Sequence, residues 1–361
     1  MDQSDVARTP SRRSVLAGGS GAALGISTLA LPSAAAAATG SPAPTQGSWV
    51  DTGYFSSGTT GTVYGVTFDG TRFIVGGSNG KYYYSDGTDT SSWTAVQTTA
   101  DDEGYHLASD GSTLIVADEN NGAVYRVDNA FSGSTSLTGA QELGLDAFFV
   151  TYVSGGPDNR SVWVVGLDNK DAYYSADGES WTAISQHPFN GSSYLFGLAY
   201  DASQTVNSKY YALGFNGDTF RQTDDLSKAW TNMSATGLPD DPRHLAYDGS
   251  STLVVVDALN VAANSVPYRS TDGGANWSAA TTAISGRYEC VIHTGSSFVA
   301  LGSPGGNNSG TTANVIESSD GDTWTDMSTG DVDNDVFSNR SSAAFGGGRI
   351  VASTGSKVLV Y

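Results

Sequence analysis

The sequence predicts an all-β fold, a seven-bladed β-propeller of four-stranded antiparallel blades whose last blade is closed by the N-terminal strand. Three observations predict it. A tryptophan-bearing turn recurs at a near-constant period. The runs between turns are short and apolar, with no helical periodicity after residue 40. The two ends of the chain supply complementary parts of one repeat.

The recurring element is Ser175-Ala176-Asp177-Gly178-Glu179-Ser180-Trp181, preceded by Tyr173-Tyr174. It returns as Ser270-Thr271-Asp272-Gly273-Gly274-Ala275-Asn276-Trp277 and as Ser318-Ser319-Asp320-Gly321-Asp322-Thr323-Trp324. Looser copies are Ser85-Asp86-Gly87 leading to Trp93, and Thr223-Asp224-Asp225 leading to Trp230. Trp181, Trp230, Trp277 and Trp324 are 49, 47 and 47 residues apart. Trp93 stands 88 before Trp181, two periods of 44, with Leu137 at the midpoint and Trp49 another 44 upstream. Seven phases result.

Within one period the first copy reads as four strands, Val63–Phe68, Arg72–Gly76, Lys81–Ser85 and Trp93–Val96, joined by Gly, Asn and Asp. Such a repeat cannot bury both faces alone, so copies must stack, and four-stranded sheets of this period stack radially. At the C-terminus, Lys357-Val358-Leu359-Val360-Tyr361 matches a third strand, and then the chain stops. The missing fourth strand is available in Ser48-Trp49-Val50-Asp51.

Composition narrows the function. The chain has 361 residues, 39% hydrophobic and 11% aromatic, enough for a real core. Its formal net charge of −20 repels phosphate backbones, so nucleic acid is a poor partner. One cysteine, Cys290, excludes an internal disulfide framework and a thiolate zinc site. The 37 acidic residues are mostly Asp, against 17 Lys and Arg, which suits a surface kept hydrated in concentrated salt. A halophilic source is the expectation; an ordinary acidic secreted protein is the alternative.

Arg12-Arg13 precede a weakly hydrophobic segment, Val15 to Ala30, and the small-residue run Ala34 to Ala38 follows. This resembles a twin-arginine export signal. The expected organisation is signal peptide 1–38, linker 39–46 and propeller 47–361, with an extracellular or cell-surface product, monomeric and without a later membrane span. Six N-x-S sequons, at Asn159, Asn190, Asn232, Asn276, Asn307 and Asn339, permit glycosylation without showing it.

The Ser/Thr-x-Asp-Gly-x-x-Trp element resembles the Asp box of the bacterial-neuraminidase-type repeat superfamily, over roughly residues 45–361. The resemblance implies a turn between third and fourth strands, whose Asp accepts backbone hydrogen bonds and whose aromatic packs inward. Asp177, Asp272 and Asp320 are thus read as structural. Sialidase activity is disfavoured: the first blade lacks the Arg-Ile-Pro motif, and nothing fixes Arg243, Arg287 and Arg340 as a carboxylate-binding trio.

Propellers use the mouth of the central channel, on the face opposite such turns. A gapless alignment of innermost strands puts Tyr64-Gly65, Tyr105-His106, Phe149-Val150, Phe196-Gly197, Arg243-His244, Glu289-Cys290 and Ser341-Ser342 in register. His106 and His244, three blades apart, are candidates to face each other across the channel. With Arg243, Tyr288 and Glu289 they form a candidate catalytic set, in which a His or Tyr base and an Arg suit β-elimination on an acidic polysaccharide. Paired carboxylates such as Glu289 with Asp241 or Asp102 suit glycoside hydrolysis. The other reading is that the histidines pack, hydrogen-bonded and inert, between blades. Candidate binding residues at the same rim are Tyr64, Tyr105, Tyr194, Arg287, Asn339 and Arg340.

No metal site or cofactor is expected. Asp331-Val332-Asp333-Asn334-Asp335 alternates oxygen ligands but lacks the sixth-position Gly of a calcium loop and has Ser342 at the twelfth. The functional expectation is a secreted propeller binding a glycan or cell-surface protein at its channel face. The alternative is a polysaccharide-active enzyme, lyase or glycoside hydrolase. A third reading, assembly factor by loose resemblance to the photosystem-assembly propellers, is least favoured because an export signal separates the chain from cytoplasmic assembly.

Overall fold

The computed structural model describes residues 47–55, 61–78, 80–98, 104–119, 122–128, 138–156, 160–168, 171–184, 195–201, 209–214, 221–233, 235–239, 242–257, 265–284, 286–304, 314–328 and 342–361. The expected signal peptide and linker, Leu137, and the acidic run 331–335 lie outside them. Among the described residues every regular element is a strand.

The strands form seven four-stranded antiparallel sheets. Blades 1 to 7 are named here by their innermost strands: Val63–Phe68, Tyr105–Ser109, Ala147–Gly156, Leu195–Asp201, Pro242–Tyr247, Gly286–His293 and Ser342–Gly346. In blades 1 to 6 each sheet uses four consecutive strands. The sheet of blade 7 combines three strands from the end of the chain with Val50–Asp51, which pairs with Val358–Val360 in the register Val50↔Val360 and Asp51↔Leu359. Trp49 beside that pair is fully buried, donates Nε1–H to the Met327 carbonyl at 3.1 Å, and packs on the Tyr361 ring.

The core lies between blades rather than within them. Each of seven hydrophobic clusters spans one pair of adjacent blades, blade 7 with blade 1 included. A blade therefore buries both faces, which is why second strands such as Thr113–Asp118 and Leu253–Asp257 read as continuous apolar runs instead of alternating. Each fully buried Val, Leu, Ile or Phe contributes roughly 1.5–3 kcal/mol.

Tryptophan turns fix the outer edges of blades 3, 5 and 6. Asp177 Oδ1 accepts the backbone N–H groups of Glu179 and Ser180 and the hydroxyl of Ser175, while Ser175 Oγ accepts from Gly178 N–H. Asp320 repeats the arrangement with Asp322, Thr323 and Ser318. The copy at Asp272 carries one more residue and captures Asn276 instead. Trp277 and Trp324 turn inward and donate Nε1–H to the carbonyls of Gly274 and Gly321. Arg126, in the third strand of blade 2, donates to the Asp177 carbonyl of the next blade at 2.7 Å. Arg269 does the same to Asp320 from blade 5, at 3.2 Å and the same separation of 51 residues.

Candidate functional site at the start of the innermost strands

The face opposite the tryptophan turns is shaped by a repeated irregularity. Five innermost strands shift register near their start, between Val63 and Val66, Ala147 and Phe149, Leu195 and Gly197, Pro242 and His244, and Tyr288 and Cys290. Each shift is a β-bulge, which bends a strand and re-aims a side chain. The inserted residues include Tyr64, Phe148, Arg243 and Glu289. Blade 2 has no such shift, and Tyr105 there pairs regularly with Asp118. In blade 6 the bulge presses the backbone of Arg287 and Tyr288 against Gly302, where a Cβ would collide with the Arg287 carbonyl. Glycine at that point is what lets the strand bulge.

Arg243 and Glu289 occupy the inserted position on adjacent innermost strands, and both are buried. Arg287 reaches Glu289 with a 2.6 Å Nε–Oε1 ion pair; the Glu289 side chain is 3% exposed and that of Arg287 24%. Two further buried carboxylates close the ends of second strands beside this level. Asp118 stands opposite Tyr105 and Asp257 opposite Pro242. Asp168, one residue past the second strand of blade 3, is pushed up by burial and by the nearby Asp171 charge. Acidic groups thus mark blades 2, 3, 5 and 6, with two guanidiniums at blades 5 and 6.

His244 turns towards the seam between blades 5 and 6. His244 is 3% exposed, and its Nδ1 accepts the backbone N–H of Val291 in blade 6 at 3.3 Å. That bond turns the ring into the seam between blades; an innermost strand is the edge of its sheet, and its outward N–H groups need a partner beyond the sheet. Ser342 fills the same register position in blade 7 and accepts Val66 N–H of blade 1 at 2.8 Å. His106, in that register in blade 2, is 2% exposed. Tyr288 is likewise buried; its hydroxyl donates to the Ile284 carbonyl at 2.6 Å, and burial raises its ionisation well above the ordinary range. Such a phenol is held as a hydrogen-bond donor, not as a base.

Tyr64 is 4% exposed, with its ring flat against Gly104, so it offers no open stacking face. Tyr105 lies in the innermost strand of blade 2. Tyr194, Asn339 and Arg340 fall outside the described residues, as do Asp102 and Asp241. Among the described residues no group of three or more His, Cys, Asp or Glu is placed to hold a metal ion. No helix there is long and apolar enough to cross a membrane.

No family model matches the chain, and no curated protein matches it by sequence. Solved structures do resemble it. It is similar to YCF48 bound to D1 peptide, with a TM-score of 0.59, 15% identity, and coverage of 95% of this chain and 99% of that one. It is also similar to the GH74 xyloglucanase of Xanthomonas campestris, with a TM-score of 0.60, 16% identity, and coverage of 86% and 52%. The GH74 enzyme of Niastella koreensis gives 0.57, 14%, 84% and 43%. The shared property is the β-propeller fold. This chain spans about half the length of those GH74 enzymes and nearly all of YCF48.

Asp118 and Asp257 escaped the sequence reading. Their signal was position: each ends a second strand directly opposite the start of an innermost strand. The alignment of blade 3 was one residue off, because the inserted residue is Phe148 and not Phe149. Glycines at the ends of second strands, Gly77, Gly166, Gly214 and Gly302, stand opposite four of the five bulges and would have marked them.

Proposed function

We propose that this chain is a binding propeller, seven-bladed and clasped by its own N-terminal strand, that holds a glycan or a cell-surface protein at the bulged ends of its innermost strands. The observation that carries the reading is the level shared by Arg243, the Arg287–Glu289 pair, Asp118 and Asp257. Fixed carboxylates accept from hydroxyl and amide donors, and fixed guanidiniums donate to carbonyl and carboxylate groups. A polyhydroxylated or peptide ligand offers both. The GH74 enzymes and the peptide-bound YCF48 share the fold and are compatible with either ligand class. The turns belong, in this reading, with the Asp-box repeats, and residues 1–38 direct export of the folded protein by the twin-arginine route to a salt-rich exterior.

Binding is favoured over catalysis because His244 is committed to Val291 and Tyr288 to Ile284. An enzyme on this face would rest on its carboxylates, as in glycoside hydrolysis, rather than on a histidine base. The test is retention of residues 39–361 on immobilised acidic and neutral polysaccharides and on a cell-surface protein extract, with Glu289→Gln as the site variant. Retention that weakens at least tenfold in the variant supports the reading. Retention that ignores Glu289 places the ligand elsewhere.

A further inference from the structure

On the opposite face, between blades 4 and 5, lies a cavity of about 370 Å³ at the edge of the hydrophobic cluster that joins those blades. Its size falls in the range of small-molecule sites, roughly 300–1,000 Å³. It opens beside the last residue of one innermost strand, Asp201, and the tryptophan turn of the next blade, Thr271 to Gly273.

Asp201 is the informative residue. In blades 1, 2 and 5 the register-equivalent residues, Asp69, Asp110 and Asp248, each accept backbone N–H groups of their own hairpin turn, from Thr71 and Arg72, from Ser112 and Thr113, and from Ser250 to Thr252. Asp201 accepts the hydroxyl of Tyr247, from the neighbouring blade, at 2.6 Å. It is 6% exposed and pairs across the strands with Lys209. This carboxylate is tied at the cavity wall to a side chain of the next blade.

The other walls supply matched chemistry. Tyr211 brings its hydroxyl close to Gly273, and burial together with the Asp201 charge pushes its ionisation up to about 12, so it stays a neutral donor. Ser251 and Asp272 line the mouth, while Met233 and Leu253 add apolar surface. Two carboxylates oppose an anion and the Lys209 ammonium opposes a cation. A neutral molecule with many hydroxyls and one apolar face suits all of these walls, since each hydroxyl both donates and accepts.

We infer that the cleft between blades 4 and 5 is a second binding site, for a neutral saccharide, with Asp201 and Lys209 as its polar anchors and the Tyr247 hydroxyl holding Asp201 in place. The inference stands apart from the channel-face reading, which concerns the other end of the blades.

The experiment titrates residues 39–361 with glucose, galactose, mannose, N-acetylglucosamine and cellobiose, alongside glucuronate and glucosamine, following ligand signals by saturation-transfer NMR. Three variants accompany the native protein. Tyr247→Phe removes the hydroxyl that holds Asp201. Ser251→Trp plugs the mouth from an exposed position and leaves the core untouched. Glu289→Gln alters only the channel face. Saturable binding of at least one neutral sugar, weakened tenfold or more by Tyr247→Phe and by Ser251→Trp and unchanged by Glu289→Gln, is the expected result. Three results overturn the inference: no neutral sugar binds, Glu289→Gln protein binds a charged sugar more tightly than every neutral one, or the binding that Glu289→Gln leaves intact survives Ser251→Trp. Loss in Glu289→Gln alone assigns the sugar to the channel and leaves the cleft without a role.

Discussion

Nδ1 of His244 accepts the backbone N–H of Val291 across the seam between blades 5 and 6, at 3.3 Å. Ser342 and Val66 repeat the relationship between blades 7 and 1, at 2.8 Å. In both places a side chain from one innermost strand satisfies a backbone N–H on the edge of the next blade. The two seams are latched by different chemistry in the same register, so the position serves ring assembly and histidine is one solution to it.

His244→Leu strands that buried N–H and is expected to cost about 1–3 kcal/mol of stability. His244→Asn, which keeps an acceptor, is expected to recover part of the loss. Urea denaturation of the two variants measures this, and ligand retention by whatever remains folded is expected to match the native protein. A folded His244→Leu protein that has lost its ligand would return the residue to the site.

The arginines that cross from one blade to the next turn are expected to be unequal. Arg126 meets Asp177, Asp128 and Glu179, whereas the bond from Arg269 reaches Asp320 alone. Arg126→Ala is expected to cost about 1–2 kcal/mol and Arg269→Ala about 1 kcal/mol or less, since both sites are partly solvated. Molar salt narrows the gap by screening the Arg126 ion pairs. Thermal melts at low and high salt compare them.

Acid weakens the tryptophan turns. The N–H groups of Ser180 and Glu179 hold Asp177 down at about 2. Those of Thr323 and Asp322 lower Asp320; for Asp272, burial is the largest single influence and opposes the shift, but the hydrogen bonds from Asn276, Ser270 and Ala275 together outweigh it. A carboxylate whose folded value lies below its unfolded value of about 3.9 stabilises the fold fully above that pH. The contribution is lost as pH falls from about 4 towards 2. Stability is therefore expected to drop over that window, and Asp177→Asn with Asp320→Asn to flatten the drop. Denaturation at stepped pH reads the slope directly.

Two glycines with left-handed backbone separate strain from collision. Gly144 has φ +89° and open space where a Cβ would stand, so Gly144→Ala is expected to cost only about 1–2 kcal/mol of backbone strain. Gly122, at φ +63°, lies against the Leu145 carbonyl, into which a Cβ would be driven. Gly122→Ala is expected to cost at least about 3 kcal/mol, because the backbone must move as well. Chemical denaturation of the pair distinguishes them.

The blades were legible because the turn carries its own signature: Asp177, Asp320 and Trp324 are fixed by local hydrogen bonds, and local chemistry shows in a short window. Second strands were legible as apolar runs for the same reason. The roles of His106 and His244 were not. A gapless register aligns Cα positions, but a bulge decides which side chain is inserted and which N–H is freed, and that depends on the partner strand. Asp118 and Asp257 were missed because burial at a strand end follows from the neighbouring blade. The bond from Tyr247 to Asp201 was invisible too, since it joins two blades 46 residues apart in sequence.

The most direct measurement places residues 39–361 with a panel of acidic and neutral polysaccharides and immobilised surface protein in molar salt, and reads retention and reducing-end release from the same samples. The account predicts retention that Glu289→Gln weakens, with no sugar released. Release that vanishes in a folded His244→Asn or His106→Asn variant would contradict it and make the channel mouth a catalytic site.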